Sequence, residues 1–339
     1  MTHLRKIVLG GAAAALMMTG AVSKTFATEP GDFTNYLRGA TQGLPLGALP
    51  PPGLYGGFGL NATGLTGGAG KGDQAIAGPS VAPAFGYGIN FLYVPGWTFL
   101  GASYGMAVVQ GFYQAELATP ATPPFSAESI SPEFANTNFT PIDLSWALGH
   151  GWFVAAALTI VAPDGSRWPS NAAFGAVDLN PDYWTFAPGL AVSYLDANWL
   201  LSANFRYDIN SASQGTTMSP FLPAGAANGY VSGNLLFGEL TALYKLGKWS
   251  FGPVGYFVAQ TTADHPGGGI PCTPVICGNQ SQIDVGFLIG YDFGPVAVQV
   301  WADNTVECAN CIGTGWDVWG RVSFRLWAPE AMKPLVAKN

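Results

Sequence analysis

Four groups of residues in this chain of 339 residues have types and spacings that could do chemistry. Gly101-Ala102-Ser103-Tyr104-Gly105 fits the G-x-S-x-G pattern, in which a strained strand-to-helix turn presents a serine hydroxyl to an adjacent base. Here the pattern lies inside a strand-like stretch with no helix signal after it. Beyond the N-terminal leader only His150 and His265 remain as bases, one in a short turn and one in a long loop on the opposite rim. No histidine reaches Ser103 in mid-strand, so no catalytic residue and no enzyme activity are expected. GGAGKGD, residues 67–73, resembles a phosphate loop in composition only, because Leu65 stands where the first glycine is needed and Gly72 where Ser or Thr should follow Lys71. Cys272 and Cys277 fall in one loop, Cys308 and Cys311 in the next. Four thiolates could bind zinc, but both loops belong to an oxidising exterior in the topology derived below, where disulfides are the natural state. Local pairing, 272–277 and 308–311, is the expectation, with bonds between the two loops as the alternative. No metal and no cofactor are expected.

The elements that carry these residues read almost entirely as strands. The composition is 49% hydrophobic, 13% aromatic and 10% charged, against about 25% charged in ordinary soluble domains. Multi-span helical architecture needs apolar runs of about 18 residues or more, and the comparable run lies at the N-terminus. There Arg5 and Lys6 precede the apolar stretch Ile7 to Val22, and Thr25-Phe26-Ala27 offers a cleavage site, so residues 1–27 read as a bacterial secretory signal peptide. Its removal takes the net charge from −7 to −10, which disfavours nucleic-acid binding. The 46 glycines and 26 prolines suit many short strands with frequent turns.

In NWLLSANFRYDIN, Trp199, Leu201, Ala203, Phe205, Tyr207 and Ile209 share one parity, and Ser202, Asn204, Arg206, Asp208 and Asn210 the other. Alternation of this kind marks a strand with one apolar and one polar face. It recurs in residues 81–93, 282–293 and 316–326. Short connections at Val94-Pro95-Gly96, His150-Gly151, Asp196-Ala197-Asn198, Gly247-Lys248 and Gly294-Pro295 alternate with long ones near 62–80, 111–139, 163–182, 211–229, 263–281 and 305–315. That pattern gives twelve strands over residues 53–327, the plan of an all-β, transmembrane, antiparallel up-and-down barrel with short periplasmic turns and long extracellular loops. Tyr93, Trp97, Trp152, Tyr194, Trp199, Tyr244, Trp249 and Phe293 sit beside the short turns, as an aromatic girdle requires. The second face is mostly Gly, Ala, Ser, Thr and Asn, too bland to solubilise a soluble sandwich, so the apolar face is assigned to lipid and the small, polar face to a lumen.

Twelve strands leave a narrow bore. Inward charges concentrate late in the chain: Arg206, Asp208, Glu239, Lys245, Asp284, Asp292, Asp303, Asp317, Arg321 and Arg325. They are expected to form a lumenal ladder of structural pairs along the solute path. Residues 28–52 lack alternation and end in Pro50-Pro51-Pro52-Gly53. They form an N-terminal periplasmic or lumen-plugging segment, with Tyr36 and Arg38 as candidate plug residues; residues 328–339 form a C-terminal periplasmic tail.

LPPPGLY (49–55), YVPGWTFLGASYG (93–105), PIDLSWALGHGWF (141–153), TIVAPDGSR (159–167) and NPDYWTFAPGLAVSYLDANWLLSANFRYDIN (180–210) resemble outer-membrane transporters of the meta-pathway of phenol degradation. The Tyr183 to Phe186 hairpin is the most specific part. The resemblance implies a barrel that admits small aromatic or hydrophobic compounds passively, made by the barrel-assembly machinery and surrounded by outer-membrane lipid. Two features depart from the family pattern: the Cys-bearing loops and the tail beyond Trp327, which displaces the usual C-terminal assembly signal. The rival readings are a barrel lipid hydrolase and a structural or adhesin barrel with a closed lumen.

Overall fold

A computed structural model describes residues 34–66, 68–69, 75–76, 80–119, 125–128, 133–166, 180–214, 229–265, 267, 279–309 and 314–329. The expected signal peptide, the part of the expected tail from 330 onward, Lys71, Cys272, Cys277 and Cys311 lie outside them. Every regular element among the described residues is a strand. Twelve long strands carry the fold: β1 Gly53–Thr66, β2 Ser80–Val94, β3 Ala102–Thr119, β4 Asn138–Gly149, β5 Trp152–Val161 and β6 Thr185–Leu195. They continue as β7 Trp199–Asn210, β8 Leu235–Leu246, β9 Trp249–Gln260, β10 Ser281–Asp292, β11 Val296–Ala309 and β12 Thr314–Trp327. Each pairs antiparallel with its neighbours in sequence, and β1 also pairs with β12 from Leu54↔Trp327 to Thr66↔Thr314, so the sheet closes on itself. Closure satisfies the main-chain groups that an open edge would expose.

Parity decides the faces as the residue pattern demands. On β7, Ser202, Arg206 and Asp208 are buried while Trp199, Phe205 and Ile209 are exposed. On β6 and β10 the outward Leu190, Val285, Phe287 and Ile289 are exposed, Leu190 by 62%. A belt of exposed apolar side chains around a closed barrel is the surface that hydrocarbon, rather than water, would wet.

Ring pairs mark the short-turn end. Trp152 packs on Tyr194 at 5.0 Å between centroids, Trp199 on Tyr244 at 5.1 Å, Trp249 on Tyr291 at 4.7 Å and Tyr291 on Phe293 at 4.6 Å. The turns beneath them are tight enough to force left-handed backbone: His150 has φ 52° between Gly149 and Gly151, and Leu100 has φ 51° before Gly101. In the β6–β7 turn, Asp196 Oδ1 accepts the backbone N–H groups of Asn198 (2.7 Å) and Trp199 (2.6 Å). The first of these bonds, the Tyr194 hydroxyl and then the Trp199 N–H hold its carboxyl below the usual carboxylate range.

The opposite end differs from expectation. β3 runs on to Thr119, and the connection between β11 and β12 shrinks to residues 310–313, so Cys308 lies on strand β11 and not in a loop. Strands continue past the apolar band because paired backbone is as good a solution in water as in lipid. Only the alternation that betrays them fades there. Short strands add to this end: Gly68–Ala69 pairs with Ala75–Ile76, and Phe125–Glu128 and Glu133–Phe134 both pair with β3.

Candidate functional site

The lumen holds a segment of the chain's own N-terminal region. Residues 34–50 form a run of turns, with backbone bonds Leu37 to Ala40, Gly39 to Gln42, Thr41 to Leu44 and Pro45 to Ala48. These turns face the inner wall at close range. A Cβ at Gly43, where φ is +79°, would lie 2.5 Å from Leu288 Cδ1, and one at Gly47 would lie 2.6 Å from the Ser193 nitrogen. Glycine is therefore required at both places.

Glu239 of β8 is the main anchor. Its Oε1 accepts the Tyr36 hydroxyl at 2.8 Å and the Gly39 N–H at 2.9 Å; its Oε2 accepts the Thr41 N–H at 3.1 Å and the Thr41 hydroxyl. Arg321 of β12 holds the other side of the same turn, donating to the carbonyls of Ala40 (3.1 Å) and Gln42 (2.6 Å) while its guanidinium lies 4.9 Å from the Trp301 ring centre. Arg38 donates to Gln282, Gln42 to Asp303 at 3.3 Å, and the Gly43 N–H to Thr241 at 2.9 Å. Towards the short turns, Gly47 donates to Ser193 Oγ at 2.8 Å and accepts from Ser145 Oγ at 2.7 Å. Apolar contacts complete the seat. Ala40 packs on the buried group Leu243, Val254, Leu288, Trp301 and Trp319, and Tyr36 packs on Leu235, Phe237 and Val258. Trp301 and Trp319 stack at 5.5 Å.

Seven of the charged residues expected inside are buried there: Arg206, Asp208, Glu239, Asp284, Asp303, Asp317 and Arg321. They do not form a ladder of ion pairs. Among the described residues the ion pair recorded is Arg206–Asp208 at 2.5 Å, two positions apart on β7, and Arg206 also lies 4.6 Å from the Tyr36 ring centre. Inward acids outnumber inward bases, so neutral donors serve the rest: Gln282 (2.8 Å) and Thr305 (3.0 Å) bond Asp284, and Thr63 and Tyr256 bond Asp317. Asp292 and Arg325 are exposed at the short-turn rim, where Asp292 accepts the Gly294 N–H at 2.7 Å, and Lys245 donates to the Asp196 carbonyl at 2.9 Å. Strand parity specifies the face of a residue but not its height, which is why these three were grouped with the buried ones.

Ser103 is the second residue of β3, opposite Ser145 on β4, rather than in mid-strand. No described hydrogen bond joins it to His150 on the neighbouring turn. Cys308 is buried, and none of the described cysteines is free. Sequence reasoning named Tyr36 and Arg38 but missed Gly39, Thr41, Gln42 and the indoles of Trp301 and Trp319. A signal for the segment was present in the spacing of Gly39, Gly43 and Gly47, every fourth residue, which is what repeated close approach of a turn chain to a wall would need.

The family model described as "Putative MetA-pathway of phenol degradation" matches residues 66–310. Among solved structures, an outer membrane channel from Pseudomonas putida F1 aligns with a TM-score of 0.66 and 11% identity, covering 86% of this chain and 99% of that one. At that identity the match establishes the barrel fold alone. The TodX monoaromatic hydrocarbon channel, as a deltaS2 mutant, gives a TM-score of 0.43 at 11% identity over 90% of this chain and 97% of its own. The translocator domain of the autotransporter NalP from Neisseria meningitidis gives 0.41 at 10% identity over 81% and 89%. No curated protein matches the chain.

Proposed function

Because the chain belongs to the family of the MetA pathway of phenol degradation, we propose that it is an outer-membrane channel for passive uptake of small aromatic or hydrophobic compounds. The observation that carries this reading is the inversion of the barrel: an apolar exterior and an interior that buries charged and polar side chains alongside its rings. A closed barrel with a greasy outside is built to sit in lipid, and its interior is the path across it. The family's association with phenol breakdown names the solute class.

Residues 1–27 act in this reading as the export signal, the short turns and both chain ends face the periplasm, and assembly proceeds through the barrel-assembly machinery. Residues 34–50 are the lumen plug, held by Glu239 and Arg321 and narrowing the bore. Cys308 belongs to a disulfide with one of Cys272, Cys277 and Cys311, since it is not free and faces an oxidising exterior. Mass spectrometry of unreduced peptides identifies its partner, and an alkylatable Cys308 thiol ends that part of the reading.

The experiment for the whole is liposome swelling with the purified protein and a panel of phenol, short alkanols and sugars. Phenol and alkanols should enter faster than sugars. Vesicles that stay impermeable to every solute refute transport.

A further inference from the structure

The inner wall is uneven around its circumference. On β8 to β12 the inward positions include the large side chains of Phe237, Leu288, Trp301 and Trp319, and the N-terminal segment is bonded to Glu239 and Arg321 on that wall. On β1 to β3 the facing positions are glycines in mutual register: Gly59 pairs with Gly88, and Gly88 with Gly111. A Cβ at Gly59 would meet no atom within 4 Å. One at Gly86, in the next row, would sit 3.7 Å from Leu37 Cδ2, so the segment turns Leu37 toward this bare wall. Leu37 is 51% exposed and the inward Val109 of β3 is 40% exposed, whereas Phe237, Leu288, Trp301 and Trp319 across the barrel are buried. Independently, Asn61 packs against Gly86, is 6% exposed, and its Nδ2 has no hydrogen-bond partner.

We propose that solute crosses the barrel beside Leu37, through a slot along the glycine wall of β1 to β3, and that the missing side chains at Gly59 and Gly88 set its width. This deepens the transport reading above and rests on it. The slot selects by shape and by lack of charge. Its wall is main chain whose N–H and C=O groups are already engaged in the barrel ladder. Its apolar edges are Leu37 and Val109. A flat, neutral ring fits these terms, whereas a sugar, with many hydroxyls to satisfy, does not.

Glycine in a strand interior is a weak position, so a larger residue there should be tolerated by the fold. Gly59→Phe would project into the slot. Gly320 on β12 is the matched control, since it faces outward and also has nothing within 4 Å of a Cβ. In phenol-influx measurements on reconstituted vesicles, Gly59→Phe should lose most of the influx, Gly320→Phe should keep it, and Leu37→Ala should raise it. Unchanged influx in Gly59→Phe overturns the route, as does equal loss in Gly320→Phe. Should Gly59→Phe not assemble, Leu37→Ala decides, and unaltered influx there also overturns it. If the unmodified protein admits no solute at all, the transport reading itself fails and takes the route with it.

Discussion

Replacing Glu239 with alanine should release the segment that occupies the lumen. The carboxylate accepts four hydrogen bonds from Tyr36, Gly39 and Thr41. The two hydroxyls have other recourse, because they lie 3.1 Å apart, so one can donate to the other while the second turns to water admitted by the lost side chain. The Gly39 and Thr41 N–H groups do not, and each would be stranded in the interior. At about 1–3 kcal/mol for each unsatisfied buried group, undocking becomes easier by about 2–6 kcal/mol. Water entering the space left by the side chain brings the expected value to the lower end. About 2 kcal/mol corresponds to roughly a 30-fold larger undocked population. Trypsin reads that population directly, because Arg38 sits within the segment and bonds Gln282 when docked. When docking is fast relative to cleavage, the rate of cutting follows the fraction undocked. Cleavage after Arg38 should therefore accelerate roughly 30-fold in Glu239→Ala vesicles, with a matching gain in single-channel conductance. Equal cleavage rates in the two proteins would falsify the claim that this carboxylate holds the segment.

Two further outcomes test the frame around it. Leu190→Arg, in the middle of β6 and 62% exposed, should cost about 2–4 kcal/mol in reversible urea unfolding from lipid vesicles, while a site facing water would show a change within about 0.5 kcal/mol. Asp196 has its carboxyl held low by the turn it caps. Its contribution is complete above the ordinary aspartate range and is lost as pH falls through the depressed folded value. Thermal unfolding in detergent should weaken on acidification in the native protein and less so in Asp196→Asn; identical pH profiles would remove Asp196 from that account.

What could be read from the residues follows from which forces leave a mark on residue type. An apolar outer face and an inner face that holds buried polar groups impose a strict parity, so Phe205 and Arg206 disclosed their faces at once. Rings gather where lipid meets water, and Trp199 with Tyr244 disclosed the short-turn rim. Outside the membrane band neither force acts, and the extension of β3 to Thr119 and the strand position of Cys308 left no pattern to find. The inner segment was legible only in part. Its bonds to Glu239 and Arg321 run largely through main-chain groups of Gly39, Ala40, Thr41 and Gln42, and a peptide N–H or C=O carries no residue identity. Asp292 and Arg325 show the converse limit, being correct in parity and wrong in height.

Joining β1 to β12 along their whole length makes the wall a hoop of fixed girth. Such a hoop cannot dilate as an iris does, because adding width anywhere means tearing a ladder of bonds. Its permeability can change only through what hangs inside it. One nick in the tethered insert could thus abolish discrimination permanently while the cylinder itself stayed intact, so that tests of folding and tests of selectivity would report different fates for the same molecule.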